Sequence, residues 1–343
     1  MKIGKLTNEQ LSDLVLSRLP ALSSSTVVGS DIGADCAWID LGEQMMVISS
    51  DPVTAGGMES GTLTVHVSCN DIAACGVRPT GILIDIIAPP SCNPEDISKI
   101  VEDASREAKK IGVDIVGGHT EVSESVNTFI VISTAFGLIG KDHPVPLGHA
   151  VAGDSLILTK TCGIEGSYIA AKEHSSKLAS VPAELLDKAA SYSSLISVVP
   201  EGVITGNLFS TSGAKNDRGY RLCAADLLHD VTEGGVLGAA YEMAHISGLG
   251  ITVDERLIPI TEETQMICDT LNINPFRLIS SGSLLIATPE PDRVLEALAK
   301  ENVQACVIGR FTEKEEGFIR IDKTSGESVE LTPPEADELY GMI

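Results

Sequence analysis

The stretch Val65-His66-Val67-Ser68-Cys69-Asn70-Asp71-Ile72-Ala73-Ala74-Cys75-Gly76 places one carboxylate among small and apolar residues. Residues 58–75 predict a helix that ends at Gly76, and their composition is typical of a buried helix. A buried carboxylate is costly unless a partner offsets its charge. Asp71 therefore indicates one of two arrangements: a ligand of a hard cation such as Mg2+, or an internal acceptor for a backbone amide.

The segments on both sides alternate between strand and helix patterns. Residues 45–50 predict a buried strand that delivers Asp51 at its end, and the isoleucine-rich residues 81–88 predict another. Asn93-Pro94-Glu95-Asp96 indicates the start of a helix that ends at Gly112, since asparagine caps helices and proline favours the first turn. Further helices are predicted at 7–19, 165–173, 182–198, 232–245 (capped by Thr232) and 291–300, and further strands at 113–116, 128–139, 154–160, 283–287 and 306–308.

The chain length of 343 residues predicts two domains, at roughly 100–200 residues for each. The segment Asp142-His143-Pro144-Val145-Pro146-Leu147-Gly148 interrupts the hydrophobic periodicity and is the predicted linker. We therefore expect one domain at residues 1–148 and a second at 149–343. Because both parts mix helix and strand patterns, the predicted fold class is α/β or α+β.

Composition excludes several classes of function. The chain has 48 acidic and 24 basic residues, and its formal net charge of −24 disfavours nucleic acid and anionic membranes as partners. The acidity fits either metal-binding carboxylates or solubility alone. No apolar run approaches the ~18 residues of a membrane span, the first residues lack a secretory pattern, and the eight cysteines form no C-x-x-C pair. We therefore expect a reduced, cytoplasmic protein.

Three further acids stand beside predicted element boundaries. Asp35 and Asp51 are each explained at least as well by an ordinary turn as by a site. Asp230 lies in His229-Asp230-Val231-Thr232-Glu233-Gly234-Gly235, where a glycine-rich helix start offers amides to an anion. The acid would repel a phosphate unless a cation lay between them, so phosphate with a divalent metal explains this segment. Close helix packing through its glycines is the alternative.

A double glycine marks one more candidate segment, Val116-Gly117-Gly118-His119-Thr120-Glu121-Val122. A strand that runs into two glycines indicates either a phosphate loop or a tight turn, and His119 is more typical of a structural side chain. The sequence contains neither a P-loop motif nor a well-placed dinucleotide-binding fingerprint.

Taken in order, these segments resemble the ATP-dependent superfamily of aminoimidazole ribonucleotide (AIR) synthetase. That superfamily includes the hydrogenase-maturation carbamoyl dehydratase, thiamine-monophosphate kinase and selenophosphate synthetase. The resemblance covers nearly the whole chain, and the segments 70–79 and 229–235 are its most specific parts. The other segments that carry it are 33–37, 50–52, 117–121 and 281–286.

The resemblance implies a fold and a set of site residues. The N-terminal domain would contribute strands to a β-barrel shared across a homodimer, and a C-terminal α/β domain would pack against it. ATP would bind in a cleft at the dimer interface through Mg2+. The implied metal ligands are Asp35, Asp51, Asp71 and Asp230, and the implied catalytic residues are Asp71, Asp51 and Glu233. The implied nucleotide- or phosphate-binding residues are Asn70, Gly117, Gly118, His119, Thr120, Thr232, Gly234 and Gly235.

The expected activity is ATP- and Mg2+-dependent phosphorylation of an amide, carbonyl or carboxyl oxygen, on a small or protein-borne substrate. Asp-Pro-Val-Thr at 51–54 and Gly-Gly-His-Thr-Glu at 117–121 look most like the hydrogenase-maturation branch. That branch carries its substrate on a C-terminal cysteine, whereas here the last cysteine is Cys306, so we expect this chain not to use a carrier cysteine. The alternatives are a nucleotide-binding accessory protein that docks on a metalloenzyme-maturation partner without turnover, a small-molecule kinase, and an AIR synthetase-type ligase.

Overall fold

Two mixed β-sheets and the helices packed on them make up the fold. The computed structural model describes residues 6–32, 35–54, 57–334 and 337–341. The first sheet has the strand order β1-β2-β3-β6-β4-β5, with only the β4–β5 pair parallel. Its strands are β1 (Thr26–Val28), β2 (Ala37–Asp40), β3 (Gln44–Val53), β4 (Pro79–Ala88), β5 (Asp114–Val122) and β6 (Ile130–Gly140), and the helices of this half are α1 (Asn8–Leu14), α2 (Ser60–Ala74) and α3 (Pro94–Ile111).

The second sheet has seven strands in the order β13-β12-β9-β11-β7-β10-β8, with only β9 and β12 parallel. Its strands are β7 (Ser155–Thr159), β8 (Leu227–Asp230), β9 (Gly250–Asp254), β10 (Leu284–Thr288), β11 (Ala305–Thr312), β12 (Phe318–Ile321) and β13 (Ser328–Glu330). The helices of this half are α4 (Ile164–Glu173), α5 (Ala183–Ala190), α6 (Val199–Gly206), α7 (Gly235–Ser247), α8 (Glu262–Leu271) and α9 (Pro291–Lys300). The predicted mixture of helices and strands in both halves is confirmed.

Helix α2 lies at the centre of the molecule, and every residue of it except Val67 is buried. It packs against β3 and β6 of its own sheet and α3 beside it, and also against α6 and β8 of the second half. A helix covered on all sides needs no continuous polar stripe, and the polar side chains of α2, such as Ser68, Asn70 and Asp71, are buried and hydrogen-bonded inside the protein. This helix therefore brings the two halves together at Asp71.

The two halves share one hydrophobic core. Ile72 and Ile82 from the first half belong to the same cluster of buried side chains as Ile157, Leu284 and Leu298 from the second. The predicted linker is partly inside this cluster, because Val145 is buried there. The two sheets divide the chain near the predicted boundary, and the boundary at residue 148 itself stays a prediction.

The face of the first sheet opposite α2 and α3 carries apolar side chains in contact with solvent. Leu83 and Leu138 are exposed on β4 and β6, and every residue of β5 is exposed, including Val116. Among the described residues this sheet is open, with β1 and β5 at its edges and no closed barrel. The barrel shared by a homodimer stays a prediction, since it needs a second copy of the chain.

Several helix boundaries are set by local sequence and agree with expectation. Thr7 with Gln10 and Asn93 with Asp96 form capping boxes at the starts of α1 and α3, and Gly112 ends α3 in the left-handed conformation. The predicted helix over 7–19 is wrong at its end, because α1 stops at Leu14 and a 3-10 turn follows. The part of the chain that the structure describes contains no helix long and apolar enough to cross a membrane.

Two other expectations are wrong in detail. The predicted helix over 182–198 ends at Ala190, where a 3-10 turn begins that holds the Tyr192 hydroxyl 2.6 Å from the Thr261 hydroxyl. The strand predicted to end at 116 continues through the double glycine to Val122, which makes Gly117 and Gly118 strand residues rather than a turn. Gly118 has a φ of +146°, and a Cβ there would lie 1.8 Å from the Ile84 carbonyl oxygen. A close approach to β4 therefore requires glycine at this position.

Candidate active site

Asp71 and Asp51 lie side by side where α2 packs against β3. Asp71 comes from α2 and is buried, whereas Asp51 lies within β3, since the strand runs on to Val53 instead of ending at residue 50. β2 pairs only with residues 45–48 of β3 and does not reach Pro52. Proline is therefore tolerated there, because its backbone has no N–H and none is needed for pairing with β2. The Ser49 hydroxyl donates to the Asp71 carboxylate at 2.6 Å and lies 3.5 Å from that of Asp51. Two carboxylates and a hydroxyl thus form one oxygen-lined group.

Asp230 and Asp35 complete this group from other elements. Asp230 is buried at the end of β8, the edge strand that packs against α2. Burial raises the pKa of Asp71 well above its usual range, and the negative charges of Asp230, Asp51 and Asp35 raise it further. The four carboxylates predicted as metal ligands are therefore brought together, although they come from four separate segments. Gly33 and Ala34, which precede Asp35 in its motif, lie outside the described residues.

The donor set fits a hard divalent cation. Crowded carboxylates repel one another, and an ion bound between them would offset that repulsion and the cost of burial. Carboxylate and hydroxyl oxygens are ligands that Mg2+ accepts. Asp51 and Asp71 would hold such an ion from one side, with Asp35 of the same half and Asp230 of the second half completing its surroundings.

His229 also belongs to this group, although the sequence pattern does not mark it as a ligand. Its Nδ1 lies 3.1 Å from Oδ2 of Asp35, and its Nε2 lies 3.3 Å from Oε2 of Glu242 on α7. Ligand atoms of Asp35, His229 and Asp230 all lie within 4.8 Å of one another. His229 and Asp230 are consecutive in a strand, and consecutive strand residues normally point to opposite faces of the sheet. The sequence pattern therefore gave no signal that both side chains would lie in one group. Ser49 was also missed, although its position two residues before Asp51 places both on one face of β3.

A second group of acids lies beyond Asp230, around the start of α7. Glu165 of α4 is buried, and its Oε2 has no hydrogen-bond partner among the described residues. Burial raises the pKa of Glu165 to about 7, and the carboxylates of Asp337, Glu233 and Asp230 contribute to the increase. The negative charge of Glu233, predicted as catalytic, is close enough to Glu165 to raise its pKa, and the catalytic role of Glu233 stays a prediction.

The start of α7 differs from expectation. Thr232 was predicted as the N-cap, but the cap is Gly234 in the left-handed conformation, and the helix begins at Gly235. Asp337, near the C terminus, fills the capping role, because its Oδ2 accepts a hydrogen bond of 2.7 Å from the Gly234 amide. The predicted anion site at Thr232, Gly234 and Gly235 is thus partly occupied by a carboxylate of the chain itself. Binding of a phosphate there stays a prediction.

Asn70 is positioned differently from a residue that contacts a nucleotide. Its side chain is fully buried, donating to the Ile196 carbonyl at 2.9 Å and accepting from the Val198 amide at 2.8 Å. Both ends of the amide are therefore used to hold the segment before α6 against α2. We expect Asn70 to act on a bound nucleotide only by positioning Asp71 beside it.

The remaining predicted nucleotide residues lie on β5, at the edge of the first sheet. Gly117, Gly118, His119 and Thr120 are all exposed there, and the His119 ring lies 3.2 Å from the Glu121 carboxylate. Thr120 pairs with Ile86 on β4. A nucleotide held by these residues would occupy an open edge, and their role stays a prediction.

Comparison with known proteins gives relatives over most of the chain. It is 28% identical over 326 residues to a protein of Methanocaldococcus jannaschii named, provisionally, for hydrogenase expression or formation, with 92% of this chain and 90% of that protein covered. It is 24% identical over 306 residues to the carbamoyl dehydratase HypE of Azotobacter vinelandii, with 86% and 83% covered.

Solved structures show the same fold. Escherichia coli HypE, a hydrogenase maturation protein, superposes with a TM-score of 0.70 at 22% identity, with 87% of this chain and 88% of that chain covered. HypE in complex with ATP gives a TM-score of 0.68 at 20% identity, with 100% and 98% covered. ThiL complexed with AMPPCP and TMP gives 0.70 at 18% identity, with 95% and 99% covered.

The sequence profiles of two family domains also match. Residues 33–139 match the N-terminal domain of AIR synthase related proteins, and residues 215–322 match the C-terminal domain. The first match contains Asp35, Asp51 and Asp71, and the second contains Asp230, so the carboxylate group is assembled from both domains. The chain belongs to the AIR synthase related family.

Proposed function

We propose that this protein uses ATP with Mg2+ to phosphorylate an amide, carbonyl or carboxyl oxygen of a small or protein-borne substrate. The observation that carries the proposal is the convergence of Asp35, Asp51, Asp71 and Asp230 from four separate segments. Relatives named as a carbamoyl dehydratase and as a selenide, water dikinase, together with the ATP-bound and AMPPCP-bound neighbours, support nucleotide-dependent chemistry.

Phosphoryl transfer requires mainly positioning and neutralisation of charge. Asp51 and Asp71 would hold Mg2+ on the phosphates of ATP, with Ser49 fixing the orientation of the Asp71 carboxylate. Mg2+ would supply charge stabilisation for the transferred group. Glu233 would act on the acceptor group, and the amides at the start of α7 would bind an anionic part of the substrate once Asp337 releases Gly234.

The nucleotide would extend toward the edge strand β5, where Gly117, Gly118, His119 and Thr120 are exposed. We place the protein in the cytoplasm and expect a homodimer. A neighbouring structure of a HypE–HypF complex suggests that a metalloenzyme-maturation partner could present the acceptor.

The first test compares ATP turnover by the full chain and by Asp71→Asn across a panel of amide and carboxylate acceptors. Loss of a residue that orients a metal ligand typically lowers metal affinity or activity about 10- to 100-fold, so loss of a direct ligand should lower turnover at least about 100-fold. Asp187→Asn, the same change on the exposed face of α5, serves as the matched control and should leave turnover unchanged. Unaltered turnover and unaltered Mg2+-dependent nucleotide binding in Asp71→Asn would falsify the proposal.

Calorimetry separates this activity from an accessory role. An enzyme should form ADP with at least one acceptor, whereas an accessory protein should bind ATP and its non-hydrolysable analogue equally tightly and form none. The second outcome across the whole panel would replace the proposed activity with nucleotide-dependent docking on a maturation partner.

A further inference from the structure

The surroundings of His229 suggest a more specific metal site than an all-oxygen one. The ring is buried at the end of β8, between Asp35 on one side and Glu242 of α7 on the other. Asp230, the next residue, completes a group whose ligand atoms lie within 4.8 Å of one another. One imidazole nitrogen and two carboxylates thus face a common point.

Each ring nitrogen of His229 faces a carboxylate oxygen, and the proton on the neutral ring can be on either nitrogen. If Nε2 donates its hydrogen to Glu242, at 3.3 Å, Nδ1 presents a lone pair toward Oδ2 of Asp35, at 3.1 Å. Two facing lone pairs repel unless a proton or a metal ion lies between them. A histidine that binds a metal through one nitrogen commonly donates the other N–H to a carboxylate, which fixes the ring orientation. Glu242 is placed to do this.

We propose that Asp35, His229 and Asp230 bind a divalent first-row transition-metal ion, with Glu242 orienting the imidazole. Mg2+ is bound almost entirely through oxygen, whereas an imidazole nitrogen with carboxylates suits ions such as Mn2+, Fe2+, Co2+ or Zn2+. Two carboxylates and a neutral imidazole balance the charge of one such ion. The Asp35 side chain is 32% exposed, against 11% for His229, so an ion can enter from the Asp35 side. The location of this site beside Asp51 and Asp71 rests on the proposed function, but the binding itself needs no nucleotide.

The test uses Mn2+ as the probe and the full chain without ATP. Titration followed by electron paramagnetic resonance gives the affinity, and the electron spin echo modulation of bound Mn2+ reports whether an imidazole nitrogen coordinates it. We expect a nitrogen coupling in the unaltered protein, its loss in His229→Gln, and an affinity at least about 10-fold lower in that variant. Glu242→Gln should weaken Mn2+ binding 10- to 100-fold while keeping the coupling, as expected of a positioning residue. His245→Gln, an exposed change on the same helix α7, is the matched control and should change neither quantity.

Three outcomes would overturn this inference: no binding of Mn2+, bound Mn2+ without nitrogen coupling, or an affinity that His229→Gln leaves unchanged. In each of these cases the proton-bridged arrangement of His229 between two carboxylates would be the correct one. The coupling is measured on the unaltered protein, so the test does not depend on any variant folding. ATP turnover with Mg2+ but no nitrogen-coordinated Mn2+ would reject this site alone. Nitrogen-coordinated Mn2+ without turnover would reject the proposed function alone.

Discussion

The Asp337 carboxylate accepts a hydrogen bond of 2.7 Å from the Gly234 amide and so caps the N terminus of α7. Its other oxygen accepts from the Leu339 amide at 2.8 Å, and Pro334 packs where a Cβ of Gly234 would lie. Arg277 donates to the Thr332 carbonyl at 2.8 Å, and Leu339 is buried in the cluster around α4 and α5. The segment around Asp337 is therefore held across the start of α7, the helix that follows Asp230.

This contact predicts the effect of Asp337→Ala. Removing a capping carboxylate typically costs about 0.5–2 kcal/mol, so we expect the free energy of unfolding to fall by that amount. Hydrogen exchange at the Gly234 and Leu339 amides should also accelerate, because both lose their acceptor. Urea unfolding and exchange measured by mass spectrometry check the two effects, with Glu338→Ala as the neighbouring control. Equal exchange at these amides in both variants would show that the carboxylate does not hold the segment.

The buried ion pair between Lys160 and Glu201 gives a second prediction. Lys160 Nζ lies 2.6 Å from the Glu201 carboxylate, which is fully buried, and also donates to the carbonyls of Leu195, Ser197 and Gly282 at 2.7–3.0 Å. Lys160→Met leaves a buried charge on Glu201 without its partner, a change that typically costs about 3–5 kcal/mol. We expect urea unfolding to show a loss of that size.

Two further variants test whether this loss comes from the pair. Lys160→Met combined with Glu201→Gln should recover part of the lost stability, because the uncompensated charge is removed. Lys188→Met breaks an exposed pair with Glu184 on α5 and should cost no more than about 0.5 kcal/mol. A loss in Lys160→Met no larger than that of Lys188→Met would contradict the prediction.

Local signals in the sequence were sufficient for some elements and insufficient for others. The capping boxes at Thr7 and Asn93 lie within four residues of the hydrogen bonds they make, so the starts of α1 and α3 were predictable. The short strands β8, β9, β12 and β13 were not predicted, because three to five residues carry too little periodicity to stand out. Their identity comes from pairing partners far away in the sequence.

The candidate site also has some residues that local sequence signals predict and others that they do not. Asp71 was identified from its own buried surroundings, since a carboxylate in such a segment needs a partner. Its proximity to Asp230 depends on β8 packing against α2, a contact between residues about 160 positions apart that no local pattern encodes. The capping of Gly234 by Asp337 was missed for the same reason, because no signal near residue 337 points to the start of α7.

A pair of acids away from the site predicts a dependence of stability on pH. Asp226 forms a hydrogen bond with the buried Asp154, and burial together with the Asp154 charge raises the pKa of Asp226 to about 7. An unfolded aspartate titrates near ~3.9, so between these values the folded chain holds a proton that the unfolded chain releases. The stabilisation is therefore complete below about pH 4 and is lost as the pH rises through about 7.

Asp226→Asn should remove this dependence, because its amide can donate to Asp154 at every pH. Relative to the unaltered protein, the variant should gain stability on going from pH 6 to pH 8 in urea unfolding. Asp217→Asn, an exposed aspartate, should show no such gain. If the stability difference between Asp226→Asn and the unaltered protein is the same at both pH values, Asp226 does not hold a proton in the folded chain.

The uncovered face of the first sheet predicts a homodimer. Its outward residues include Leu83, Ile132, Phe136 and Leu138, and no layer of described residues packs over them. A second copy would bury this face and the open strand edges, and the interface should exceed the ~2,000 Å2 above which permanent contacts are common. The net charge of −24 on each chain opposes association, so moderate salt should favour the dimer.

Ile132→Glu should give monomers at micromolar protein, because it places a charge in the centre of the face. Leu257→Glu, an exposed change on the second half, should not. Analytical ultracentrifugation of the unaltered protein and of both variants distinguishes the monomer from the dimer. A single species near 36.0 kDa for the unaltered protein would reject both the dimer and a nucleotide cleft that depends on it.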